Sequence, residues 1–161
     1  MSPADVVLIA ACSATLALTS RERAPDRDAP AAVGIILGSI AVGLAARAAR
    51  NAGLVETQSI YLLNPVMDAL IALWAFARHR AKPRDWTRLL ILVSVGSIFA
   101  SAAYGAAAKT PEARYLYASV LNALLITGLC GIGYGGLRDV ASSLVAELRS
   151  RALARLPGRA R

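Results

Sequence analysis

The sequence predicts an all-α, polytopic membrane protein. Three observations carry that expectation: 57% of the residues are hydrophobic against 17% charged, the mean hydropathy is +0.52, and the apolar residues gather into runs between short charged connectors. Five runs stand out, at about 3–19, 31–46, 58–77, 89–108 and 115–137, each near the ~20 residues that cross a ~30 Å hydrocarbon core. A soluble bundle would need polar faces repeating along every helix, and VVLIAACSATLAL or AAVGIILGSIAVGLAA offers almost none. The expected organisation is a five-helix transmembrane domain over 1–137 followed by a basic, amphipathic cytoplasmic tail over 138–161.

Orientation follows from the basic residues, because Lys and Arg stay preferentially on the cytoplasmic side of short loops. From the amino terminus the connectors and tail carry 0, 3, 2, 5, 2 and 6 of them. Placing loops one and three and the tail inside puts 14 of the 18 there, so the amino terminus is expected outside and the carboxyl terminus inside. The net charge of +8 is thereby explained by topology, and no nucleic-acid partner is expected.

The first run opens with Ser2, Pro3 and Asp5, which fit an N-cap, a first-turn proline and an acid at the third helical position. Residues 9–12, IAAC, resemble the cleavage site of a bacterial lipoprotein signal, but no Lys or Arg precedes Arg21, so the span is expected to be retained. The second run is the shortest and needs Arg47 to snorkel; its Gly34 and Gly38 have the small-xxx-small spacing of close helix packing.

The connector RHRAKPRDWTR brings Arg78, Arg80, Lys82, Arg84 and Arg88 beside Trp74 and Trp86, which suits anionic lipid headgroups with the indoles at the interface. His79, between two arginines, is expected to be solvated. In the fourth run Ser94, Ser97, Ser101 and Tyr104 recur at steps of three and four, a polar stripe expected to face other helices. The fifth run carries Gly131 and Gly135 at packing spacing, within GIGYGG. That string matches G-x-G-x-x-G by letter but lacks the strand-turn-helix context of a dinucleotide site, so packing or a bend before the tail is expected instead. Cys12 and Cys130 both fall inside runs and are expected to pack as small residues.

Beyond it, Leu137, Val140, Ala141, Leu144, Val145 and Leu148 fall on one helical face with arginines largely opposite, and Glu147 can pair with Arg151. Pro157 and Gly158 end the pattern. Such a helix is expected to lie along the headgroups.

The third run, YLLNPVMDALIALW at 61–74, is the informative one. Tyr61, Asn64 and Asp68 share a helical face, and an ionised acid at mid-membrane costs ~2.5 kcal/mol or more. Pro65 removes the bond to the Tyr61 carbonyl, so a bend is expected, or a half-helix beginning at Pro65 with Asn64 as its cap. YLYASVLNALL at 115–125 matches 61–71 at five of eleven positions, placing Asn122 opposite Asp68, and both preceding helices contain GSI, at 38–40 and 96–98. The pattern predicts parallel repeats in which Asp68 and Asn122 meet at one depth.

Two roles suit Asp68: a hydrogen-bonded acid that joins helices through Asn122, Tyr104 or a serine, which is the favoured expectation, or a site for an ion or proton. No span holds a His, no carboxylates face each other and no nucleophile has an evident base, so no enzymatic activity, metal or cofactor is expected. The expected function is that of a small non-enzymatic protein of the bacterial inner membrane that forms homo-oligomers or assembles with other membrane proteins. In its small size, several spans, small-residue faces and basic tail it resembles, coarsely, the holins of phages, which implies membrane permeabilisation by a pore. The alternative is a carrier of ions, protons or small solutes, or a carrier subunit, working through Asp68.

Overall fold

Local chemistry sets where the helices begin and end in a computed structural model of the chain, which describes residues 3–20, 28–55, 57–106 and 110–154. The described residues form five helices: α1 (Pro3–Thr19), α2 (Asp28–Asn51), α3 (Thr57–Ala81), α4 (Asp85–Ala106) and α5 (Pro111–Ala154). Helix α5 starts on a complete signal: Thr110 Oγ1 accepts the Ala113 amide at 3.2 Å, and Pro111 occupies the first helical position, where a missing N–H costs nothing. Helix α2 ends on another. Gly53 adopts φ +73°, its amide reaches the Arg50 carbonyl at 2.9 Å, and the Leu54 amide reaches the Ala49 carbonyl at 2.9 Å, the two bonds of a Schellman cap. The proposed cap at Ser2 lies outside the described residues, as do Pro157 and Gly158.

Consecutive helices run antiparallel. Asp5 near the start of α1 meets Arg47 near the finish of α2, Asp28 at the start of α2 meets Arg78 late in α3, and Tyr104 late in α4 stacks on Tyr117 early in α5. Contacts between α1 and α2, α2 and α3, α3 and α4, and α4 and α5 close into a ring through α1 and α5, while α2 also touches α5 across it. The bundle thus has a near end, where α1 begins, and a far end, where α2 begins.

Packing is uneven between the two ends. Cys12, Val33, Ile36, Ala75, Leu129 and Ile132 form a buried core from mid-bundle toward the far end. Glycines bring helices together there: a Cβ on Gly131 would overlap the Leu89 side chain, and one on Gly133 would touch Thr15 at 3.4 Å. The outer surface is apolar, with Leu73 66%, Leu92 68% and Phe99 71% exposed, an arrangement that lipid tolerates and water does not. Helices α2 and α4 and the 111–135 portion of α5 are long and apolar enough to cross a membrane. Helix α3 has 25 residues and carries Asn64, Pro65 and Asp68 among its apolar ones, and the apolar part of α1 is shorter.

Three features differ from the sequence-based expectation. Helix α3 passes through Pro65 without a break, so Asn64 sits inside a helix rather than capping one. A single proline removes one backbone bond, and the packing of α3 on α2 and α4 holds the helix together across it. Helix α2 extends from Asp28 to Asn51, beyond the apolar 31–46, because its polar ends find partners in Asp5 and Arg78. Helix α5 continues through GIGYGG as one 44-residue helix, about 66 Å at 1.5 Å per residue, with no break between 137 and 138. Beyond the bundle Leu144, Val145 and Leu148 of this helix are exposed.

Candidate functional site: a polar cavity inside the bundle

Toward the near end the core gives way to a half-open cavity of about 170 Å³ lined by all five helices. Its floor at mid-bundle is apolar, formed by Ile36, Ile71 and Leu90. Above the floor the polar side chains converge: Ser39 from α2, Asn64 and Asp68 from α3, Ser94 and Ser97 from α4, and Asn122 from α5. Asp5 and Arg47 line its near-end rim.

Helical spacing explains the convergence. Asn64 and Asp68 are four residues apart and Ser94 and Ser97 three, so each pair projects from one face into the bundle. Ser97 Oγ donates to Asp68 Oδ2 at 2.5 Å, joining α4 to α3. A serine is among the expected partners of Asp68; Asn122 is not the one used, because α3 and α5 lie on either side of the cavity and share no packing contact among the described residues. Most other hydroxyls serve their own helix instead. Ser13, Thr15, Thr19 and Thr127 each donate to a carbonyl three or four residues back, and Ser39 donates to the Ile36 carbonyl at 2.7 Å. Equivalent positions of the two expected repeats, Ser39 with Ser97 and Asp68 with Asn122, all line this one cavity.

The rim is an ion pair that sequence reading missed. Arg47 Nη1 lies 3.1 Å from Asp5 Oδ1; the Asp5 side chain is 5% exposed and that of Arg47 50%. Arg47 therefore spans from the surface to a buried acid rather than snorkelling alone. The available signal was an acid one turn into α1 and an arginine one turn from the end of α2, which an antiparallel hairpin brings level.

The remaining predicted residues separate into other places. Ser101 shares a 3.0 Å hydrogen bond with Tyr117, and Tyr104 stacks on the same ring at 4.5 Å, beside a mostly apolar hollow of about 280 Å³ between α3, α4 and α5. The side chain of Tyr61 lies outside the described ones. Gly34 and Gly38 face outward, and outside their own helical turn no atom among the described residues comes within 4 Å of an added Cβ, whereas Gly131 packs on α4 and Gly135 is half-buried. Ser94 and Tyr104 are buried.

At the far end the basic connector is partly engaged. Arg78 pairs with Asp28 at 3.5 Å and lies 5.8 Å from the centre of the Trp74 ring, which in turn packs on Trp86. Arg80, Lys82 and Arg84 are exposed. His79 differs from expectation: its Nδ1 lies 2.8 Å from Thr87 Oγ1 and its Nε2 accepts from Arg88 Nε at 3.3 Å. Because Thr87 donates its own hydrogen to the Arg84 carbonyl at 2.6 Å, His79 Nδ1 is the donor to Thr87. The imidazole ties the two helix ends together. Cys12 is buried and Cys130 exposed, both as free thiols. No group of three or more His, Cys, Asp or Glu able to hold a metal occurs among the described residues.

No family model, curated protein or solved structure matches the chain.

Proposed function

We propose that the chain is a small non-enzymatic membrane carrier, or the membrane subunit of one, that accepts a proton or a small cation at Asp68. In this reading all five helices cross the membrane, with the amino terminus outside and the tail inside, in the inner membrane of a bacterium. The observation that carries it is the placement of Asp68 on a polar cavity rather than within a sealed helix contact. An acid serving only to join helices needs one partner, and Ser97 supplies it; the further polar groups of Asn64, Asn122 and Ser94 around the same space are unnecessary for that task. A carboxyl group at such depth is costly unless a proton or cation accompanies it. The apolar floor and polar rim also suit a site reached from the near end.

Flux through reconstituted protein tests this directly. In proteoliposomes carrying a pH-sensitive dye, an imposed gradient of a small cation should move protons or the cation itself with the parent protein. Asp68→Asn, close in size to the parent, should insert and assemble normally but lose that flux. Equal flux in the two would remove Asp68 from any transport role.

A second reading is favoured by one specific observation, the outward-facing Gly34 and Gly38 on α2. Small residues at this spacing let a neighbouring helix approach closely, so copies of the chain, or another membrane protein, would pack there. Holin-like permeabilisation would then arise from the oligomer. Inducible expression in a bacterium, with membrane potential followed beside growth, separates the two: abrupt depolarisation supports the pore, and an intact potential after verified insertion excludes it.

A further inference from the structure

Resting on Asp68 as a cation acceptor, as proposed above, we infer that the cavity takes a small monovalent cation bearing several N–H donors, of the alkyl-guanidinium class, in preference to a quaternary ammonium or a bare alkali metal ion. Charge fixes the first part. Asp5 and Arg47 neutralise each other at 3.1 Å, so one carboxylate remains in the cavity, and a single positive charge balances it. A zwitterion would bring a carboxylate that competes with the buried Asp5 for Arg47.

Hydrogen-bonding capacity fixes the second part. The hydroxyl hydrogens of Ser39 and Ser97 are already committed, to the Ile36 carbonyl and to Asp68, so those two oxygens are left with acceptor capacity only. The Asp68 carboxylate adds further acceptors, and Asn64 and Asn122, on two sides of the space, can each turn an amide oxygen toward a donor. A guanidinium, planar and rich in donors with no acceptor of its own, satisfies such a lining, whereas a quaternary ammonium offers it no hydrogen at all. Aromatic faces are the usual partners of quaternary ammonium, and none lines the cavity among the described residues.

Size fixes the third. A cavity of about 170 Å³ compares with the roughly 150 Å³ that holds benzene in an engineered protein core, so a ligand of about six non-hydrogen atoms fits. A bare metal ion instead needs oxygens converging at roughly 2.3–2.6 Å on a point, as calcium sites illustrate. Leu63, Met67 and Val93 leave apolar wall for a short alkyl group.

Calorimetric titration of the full-length protein in lipid nanodiscs, with methylguanidinium, tetramethylammonium and sodium as separate probes, tests the class. Methylguanidinium should bind at least about ten-fold more tightly than either of the others, a difference of ~1.4 kcal/mol. Asp68→Asn should abolish that binding, and Asn122→Leu, which leaves the Asp68–Ser97 bond alone, should weaken it by about three- to ten-fold, as expected for one lost hydrogen bond. Asp68-dependent binding of tetramethylammonium or sodium that equals or exceeds methylguanidinium overturns the class while leaving the cation site standing. Binding of none of the three overturns both, and so does methylguanidinium binding that neither substitution weakens.

Discussion

Asp5 and Arg47 show how a bundle this apolar handles its few charges. One partner is buried and the other half-exposed, so the pair falls between a surface ion pair, worth ~0–1 kcal/mol, and a fully buried one, whose breakage costs ~3–5 kcal/mol. Arg47→Met should therefore destabilise the protein by roughly 1–3 kcal/mol, because it takes the cation away from the buried Asp5 carboxylate. Adding Asp5→Leu should recover most of that loss, and thermal unfolding of the single and double variants in detergent measures the coupling. Ser97→Ala removes the bond to Asp68 and should cost about 0.6 kcal/mol, with ~1.7 kcal/mol as an upper bound for such interhelical contacts. The site was only half legible at this scale. Polar residues inside apolar runs, Asn64, Asp68, Ser97 and Asn122, announce themselves because lipid has no use for them. The pair at the rim does not, since Asp5 also fits an ordinary helix start and Arg47 an ordinary helix end, and only the hairpin geometry brings them level.

Helix α5 shows the same limit at the level of whole elements. Apolar runs locate the centres of the helices well because hydropathy is a property of composition, but the ends are set by partners that lie elsewhere in sequence. Asp28 and Arg47 extend α2 beyond its apolar part by pairing with Arg78 and Asp5, and the glycines of α5 serve close packing on α4 and α1. Two glycine substitutions distinguish packed from open faces. Gly131→Ala pushes a Cβ into the Leu89 side chain, which has to shift, and should cost about 1–3 kcal/mol, the range for overpacking. Gly34→Ala meets open space within the chain and should be neutral or stabilise the monomer by ~0.5–1 kcal/mol through reduced backbone freedom. If copies pack through α2, the same substitution should weaken their association, which cross-linking in native membranes reads separately from monomer stability.

At the scale of the whole molecule, the antiparallel ring and the distribution of charge lead to one test of how the protein sits in the bilayer. The closed ring places α3 between α2 and α4, so Asn51 and Lys82 lie at opposite ends of the bundle even though α3 is more polar than its neighbours. Insertion of the intact ring puts a membrane between those two residues. Insertion of only α2, α4 and the apolar part of α5, leaving α3 outside the bilayer, would put them on the same side. Both positions are exposed, as is Ser150 in the projecting part of α5, so single cysteines there are reachable by label once Cys12 and Cys130 have been replaced. With 14 of the 18 basic residues assigned inside, a membrane-impermeant thiol reagent applied to intact cells should modify cysteine at Asn51 and leave Lys82 and Ser150 unmodified until the membrane is opened. Modification of Lys82 but not Asn51 would invert the orientation. Equal modification of Asn51 and Lys82 would take α3, and with it Asp68, out of the membrane, and the acid would then need no proton or cation to accompany it across a hydrocarbon core.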